Sequence, residues 1–167
     1  MGPAGPMGPV GAIGPASPAG PQGCKGAPGA AGTSGFSASA FSAGDVNCAL
    51  NSSGAWTFVP GTTVNIVVNA GETLHVFATA ALGTANGKSG DASFDIGYRL
   101  SSSSAAPTTD SNDLTLSCDK WNRLPISLSQ RYLGLPAGTY TVGLAAKTTS
   151  KQWNANDAGR VLAFTTR

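Results

Sequence analysis

Charge is scarce in this chain, histidine is nearly absent, and no run of residues is long and apolar enough to cross a bilayer. Asp, Glu, Lys and Arg make up 11% of 167 residues and leave a formal net charge of +2. That balance gives no electrostatic case for nucleic acid or for an anionic membrane surface. A helical span takes about 20 apolar residues in a row, and none occur together, so no membrane insertion is expected. The one histidine, His75, removes most acid–base and metal chemistry. No signal peptide opens the chain. Met1-Gly2 leads straight into a repeat, which reads as an expression start cut into a longer natural protein.

Cysteine is also sparse. Cys24, Cys48 and Cys118 are an odd number with no zinc-ligand spacing. Cys48 and Cys118 form one candidate pair; two buried thiols acting as small apolar residues are the alternative. Cys24 lies in the glycine-rich segment and is expected to be exposed and mostly free.

Glycine and proline are concentrated at the front. Of 23 glycines 11 fall in residues 2–37, as do 7 of 11 prolines. Read in steps of three from Gly2, eleven of twelve positions through Gly35 are glycine, with Ser17 the exception. The reason for such a register is steric: three polyproline II chains wind about one axis where only a hydrogen fits. One chain of this composition buries nothing, so the pattern implies three. Ser17 puts hydroxymethyl groups at the crowded axis and should loosen the winding there. Lys25 is the only charge in the segment, so interchain ion pairs do not help. At about 3.1 Å per residue the segment would span roughly 100 Å. A helix this short and defective needs another element to fix chain number and register.

From Phe36 the period of three gives way to short runs of alternating apolar and polar residues, bounded by Gly, Pro, Asn and Ser. Strands are expected around Val46–Leu50, Trp56–Val59, Val64–Val68, Thr73–Ala80, Phe94–Leu100, Leu114–Cys118, Leu124–Leu128, Tyr140–Leu144 and Val161–Thr166, with no helix. Eight or nine short strands between polar turns imply an antiparallel β-sandwich, most simply a jelly roll. The expected division is a collagen-like stalk over 1–35 and an all-β trimerising head over 36–167.

Chemistry-bearing residues are few, and no catalytic residue, metal site or cofactor is expected. His75 lies in an alternating strand and should face a sheet surface or a subunit contact. Asp110, Asp113 and Asp119 carry oxygens suited to calcium but lack the EF-hand pattern, so a solvated loop is the preferred reading. Two tryptophans stand among polar residues, Trp121 beside Asn122 and Arg123, and Trp153 beside Asn154, Asn156 and Asp157. A flat ring flanked by amides and charges suits a sugar, whose CH face stacks while its hydroxyls take polar partners. The preferred reading for each ring is nevertheless that it plugs the sandwich end or packs across a subunit interface.

The stalk's proline falls mainly in the position after glycine (Pro3, Pro6, Pro9, Pro15, Pro21), which resembles the collagen-like proteins of bacteria and phages. A collagen-like stalk before a β head resembles the complement C1q and tumour-necrosis-factor group, and Phe36-Ser37-Ala38 and Phe41-Ser42-Ala43 are similar to the opening of C1q-like heads. A closer resemblance, to heads of bacterial collagen-like and phage-tail-like fibre proteins, rests on three stretches: Val67-Val68-Asn69-Ala70-Gly71-Glu72, Leu135–Leu144 and Trp153–Asp157. The first two are expected to form hairpins. The resemblance implies an adhesive tip on a homotrimeric fibre, outside the cell or on a virion, as in predatory bacteria. Its partners would be two identical chains and a glycan or protein of another cell. A purely structural trimerisation clamp is the alternative, and an enzyme, which would need a pair of acidic residues, ranks last.

Overall fold

The computed structural model describes residues 1–16, 35–46, 49–84, 88–110, 112–119, 122–154 and 156–167. The chain divides into two units, Met1–Gly32 and Thr33–Arg167. In the first, residues 1–16 carry neither helix nor strand and every one is exposed. The expectations for Ser17, Cys24, Lys25 and Cys48 lie outside the described residues.

The second unit is all-β, with no helix among the described residues. Its strands are β1 (Phe36–Asp45), β2 (Thr57–Val68), β3 (Thr73–Gly83), β4 (Gly90–Leu100), β5 (Leu114–Cys118), β6 (Arg123–Tyr132), β7 (Gly138–Lys147) and β8 (Ala158–Thr166). They form two four-stranded antiparallel sheets, ordered β1-β8-β3-β6 and β2-β7-β4-β5. The pairings nest, β1 with β8, β2 with β7, β3 with β6 and β4 with β5, like one long hairpin rolled on itself.

Period-two alternation puts one side of each strand between the sheets. Val64, Ile66 and Val68 of β2, Leu74, Val76 and Ala78 of β3, Phe94 and Ile96 of β4, and Val161 and Ala163 of β8 are all buried. Full burial of each larger aliphatic or aromatic side chain contributes about 1.5–3 kcal/mol before entropy is counted. Tyr98 and Tyr132 meet edge-on at 4.7 Å, and the Tyr132 hydroxyl donates to Ile96 O at 2.5 Å.

Several expectations are corrected. The first strand is Phe36–Asp45, and Val46 and Leu50, expected to bound a strand, are buried but belong to none. Small residues at Ala38 and Ala40 fill the inward positions of β1, a weak hydrophobic signal. Trp56–Val59 and Val64–Val68 are not two strands: Thr57–Val68 is continuous, with its register shifted between Phe58 and Thr63. Pro60 falls in that shift, where its missing N–H costs no ladder bond. The motifs at Asn69–Glu72 and Leu135–Ala137 are not hairpins, because each connects strands of different sheets. Only β4 and β5 are both consecutive and paired.

The registers define two ends. Phe36, Thr73, Tyr132 and Thr166 mark the end at which the chain enters the sandwich, and Asp45, Gly83, Arg123 and Ala158 the distal end. Strands of nine to eleven residues separate them by about 30 Å.

Candidate ligand-contacting end

The described residues of four connections meet at the distal end: 46 and 49–56, 84 and 88–89, 119 and 122, and 148–154 with 156–157. Backbone bonds lace the first to the last, from Val46 N to Asp157 O (2.8 Å), Leu50 N to Trp153 O (2.9 Å) and Gly54 N to Thr148 O (2.9 Å). Thr84 joins the other two. It bridges to Trp153, its N–H donates to Asn122 O at 3.1 Å, and its hydroxyl donates to Asp119 O at 2.8 Å. Gly83 makes this approach possible, since a Cβ there would lie on the Asn122 carbonyl oxygen.

Of the two readings of Trp153, the structure shows the plug, and the sugar-stacking role is corrected. The ring is 1% exposed and packs edge-on against Phe94 at 5.2 Å, so it closes the core at the sandwich end and offers no face to a ligand. Asn156 is buried with it: its Oδ1 accepts from Gly83 N at 3.2 Å, and its Nδ2 donates to Trp153 O. Both therefore hold the loop framework. Trp121 lies outside the described residues.

Asn122, Arg123, Asn154 and Asp157 are exposed. Arg123 Nη1 lies 3.0 Å from Asp157 Oδ2, with both side chains about half exposed, a surface pair that contributes no more than about 1 kcal/mol. The structure thus joins two stretches that stand 34 positions apart in sequence.

A groove was missed by sequence reasoning. At the same end, on the outer face of β2-β7-β4-β5, a cavity of about 210 Å³ is lined by Gly54, Asp91, Ser93, Thr115, Lys147 and Thr149 among others. Its polar groups are held in place. Ser117 Oγ donates to Asp91 Oδ1 at 2.5 Å, Ser93 Oγ and Thr115 Oγ1 lie 2.9 Å apart, and Lys147 Nζ sits 5.2 Å from the centroid of the Trp56 ring. A half-buried tryptophan under a lysine ammonium that also lines a groove of hydroxyls and a carboxylate has the chemistry sought at Trp121 and Trp153. The signal in the sequence was Trp56 itself; its neighbours come together only through the pairings Ser93–Lys147 and Ser93–Thr115.

The other singled-out residues lie elsewhere. Asp113 and Asp119 flank opposite ends of β5, and Asp110 accepts from Gln130 Nε2. No group of three metal-ligating side chains occurs among the described residues. Cys118 is a buried free thiol with Sγ 3.1 Å from Asn122 O. His75 is on the outer face of β3, stacked on Phe164 at 4.8 Å.

No family model and no curated protein matches this chain. Solved structures similar to it include a chain of infectious bursal disease virus Gx strain, 9% identical with a TM-score of 0.44, covering 78% of this chain and 33% of that one. Another is the tripod (BppUct-A-L) from the baseplate of bacteriophage Tuc2009, 15% identical with a TM-score of 0.39, covering 95% and 83%. A third is the CBM22-1 xylan-binding domain of Paenibacillus barcinonensis Xyn10C, 12% identical with a TM-score of 0.31, covering 75% and 91%. The present chain spans about a third of the length of the first.

Proposed function

We propose that this chain is one protomer of a homotrimeric fibre tip, displayed outside a cell or on a virion. Its collagen-like segment and β head together hold three chains, and the distal end of each head contacts a glycan or protein of another surface. The carrying observation is the glycine register, eleven of twelve positions from Gly2 to Gly35, whose steric logic requires three chains. The strand order β1-β8-β3-β6 over β2-β7-β4-β5 supports a jelly roll as the head's fold. The groove lined by Lys147, whose ammonium lies over the Trp56 ring, and the Arg123–Asp157 pair, about 30 Å from the residue where the chain enters the head, support the distal end as the contact site. In this reading the head is a binding module and not an enzyme.

A second reading, a trimerisation clamp that only terminates a filament, is favoured by the exposed phenylalanines Phe36, Phe41 and Phe77. The two differ at the distal end. Light scattering should give a mass about three times the 16.5 kDa of one chain, and glycan-array and whole-cell binding should fall in Trp56→Ala and Arg123→Ala. A monomeric mass overturns both readings. A trimer whose binding ignores both substitutions leaves only the clamp.

A further inference from the structure

We infer that the outer face of β1-β8-β3-β6 is the seam against two further copies of this chain, with the row Phe41, Leu162 and Phe77 at its centre. This rests on the homotrimer proposed above and says which surface closes it.

An outward position on a solvated sheet is ordinarily polar. Here the outward positions carry Phe36, Phe41, Phe77 and Leu162, exposed by 65%, 65%, 46% and 41%. They are contiguous. Phe41 pairs with Leu162, and Leu162 with Phe77, so one apolar row crosses β1, β8 and β3. The next row places Ser39, Phe164 and His75 side by side, and the Phe164 ring contacts Phe36 at 5.1 Å, His75 at 4.8 Å and Phe77 at 5.9 Å. The exposed part amounts to roughly 400 Å² of apolar surface per subunit, comparable to the largest patch of a typical monomer, which is often functional. Arg131 and Arg160 border it, pairing with His75 and Thr79, as a polar rim enriched in arginine would.

The other sheet offers no such face. Its outer side carries a network of hydroxyls and an amide, with Thr141 Oγ1 donating to Asn65 Oδ1 at 2.7 Å and Ser101 Oγ at 3.3 Å from the same oxygen. Its exposed apolar residues Val67, Leu100 and Leu114 are not ladder partners of one another.

Chain entry identifies the occupant. Three chains in a collagen-like register run side by side about a common axis, and the register ends at Gly35. Phe36 follows after one step of about 3.8 Å and is itself part of the apolar face. In a trimer each head therefore begins on this face, and a heterologous contact repeated three times closes a ring. The same arrangement leaves the polar outer face of β2-β7-β4-β5, with its groove, turned outward.

The test uses the full chain. Phe77→Asp combined with Leu162→Lys should lower the mass threefold, from trimer to monomer, with the β circular-dichroism signal kept; Asn65→Lys on the other sheet should leave the trimer intact. A trimer that survives the double substitution overturns the seam and leaves the homotrimer standing, whereas a monomeric parent chain overturns the homotrimer itself. Should the double variant fail to fold, hydroxyl-radical footprinting of the unaltered trimer decides. Normalised to intrinsic residue reactivity, oxidation of Phe41 and Phe77 should be lower than that of Leu133, and equal normalised oxidation of all three overturns the seam.

Discussion

The carboxylate of Glu72 accepts hydrogen bonds from the Asn69 backbone N–H at 2.9 Å and from the Asn69 side chain at 3.1 Å. It does so while its own side chain is removed from solvent and lies 3.4 Å from Arg167 Nε. One buried acid thus closes the turn that carries the chain from β2 to β3 and ties down the last residue of the chain.

That arrangement makes stability acid-sensitive. The Asn69 backbone bond, then the Asn69 side chain and the Ser37 hydroxyl, lower the Glu72 pKa from 4.5 to about 2. A depressed folded-state value means the stabilisation is complete above pH 4.5 and is lost as pH falls from 4.5 towards 2. Asp95 works in the opposite sense, since burial raises its pKa, so the Glu72 contribution is read by difference. The gap in melting temperature between the parent and Glu72→Gln should be widest near neutral pH and close on acidification. A gap that does not change with pH would show the carboxylate to be dispensable.

Trp153 is a core residue, so its truncation should act on stability. Trp153→Ala should cost about 3–5 kcal/mol in urea unfolding. Trp153→Phe should cost clearly less and leave whole-cell binding unchanged, because the indole N–H has no acceptor among the described residues. Lost binding in a stably folded Trp153→Phe would return the ring to the contact site.

Gly83→Ala should destabilise by about 1–3 kcal/mol, because the new methyl group meets the Asn122 carbonyl oxygen and forces backbone movement. Chemical denaturation measures it. An unchanged midpoint would mean that the 119–122 connection shifts at no cost.

The Tyr132 hydroxyl bonded to Ile96 O predicts that Tyr132→Phe costs about 1 kcal/mol. Burial, the largest cause, raises the Tyr132 pKa above the ordinary 10. A raised folded-state value keeps its stabilisation intact below pH 10, to be lost as pH climbs beyond it. Alkaline unfolding should therefore shift upward in pH in Tyr132→Phe, and an unmoved midpoint would count against the assignment.

Trivalency should dominate binding. Tethering three distal ends raises apparent affinity by about 10²–10⁴ over one. The monomeric Phe77→Asp/Leu162→Lys variant should therefore bind cells that much more weakly while keeping its fold. Equal binding by monomer and trimer would place recognition in a single site of high affinity.

The glycine register and the period-two alternation were legible without coordinates, because each is a local steric or burial rule written along the chain. Alternation located β2 through β8 and the core residues Val64, Ile66, Leu74, Val76, Phe94 and Val161. It missed β1, whose inward positions are Ala38, Ala40 and Ser42. Sheet membership was not legible at all. Asn69–Glu72 looks like a hairpin turn in sequence, and only the pairing of β2 with β7 and of β3 with β8 shows that it crosses between sheets. The same gap misled the site. Polar neighbours of Trp153 in sequence say nothing of Phe94, which is 59 positions away and covers its ring. Trp56, read as part of a strand, gained Lys147 as a neighbour only through tertiary packing. Local periodicity fixes which residues turn inward, whereas long-range register decides which strands become neighbours and so which side chains share a surface.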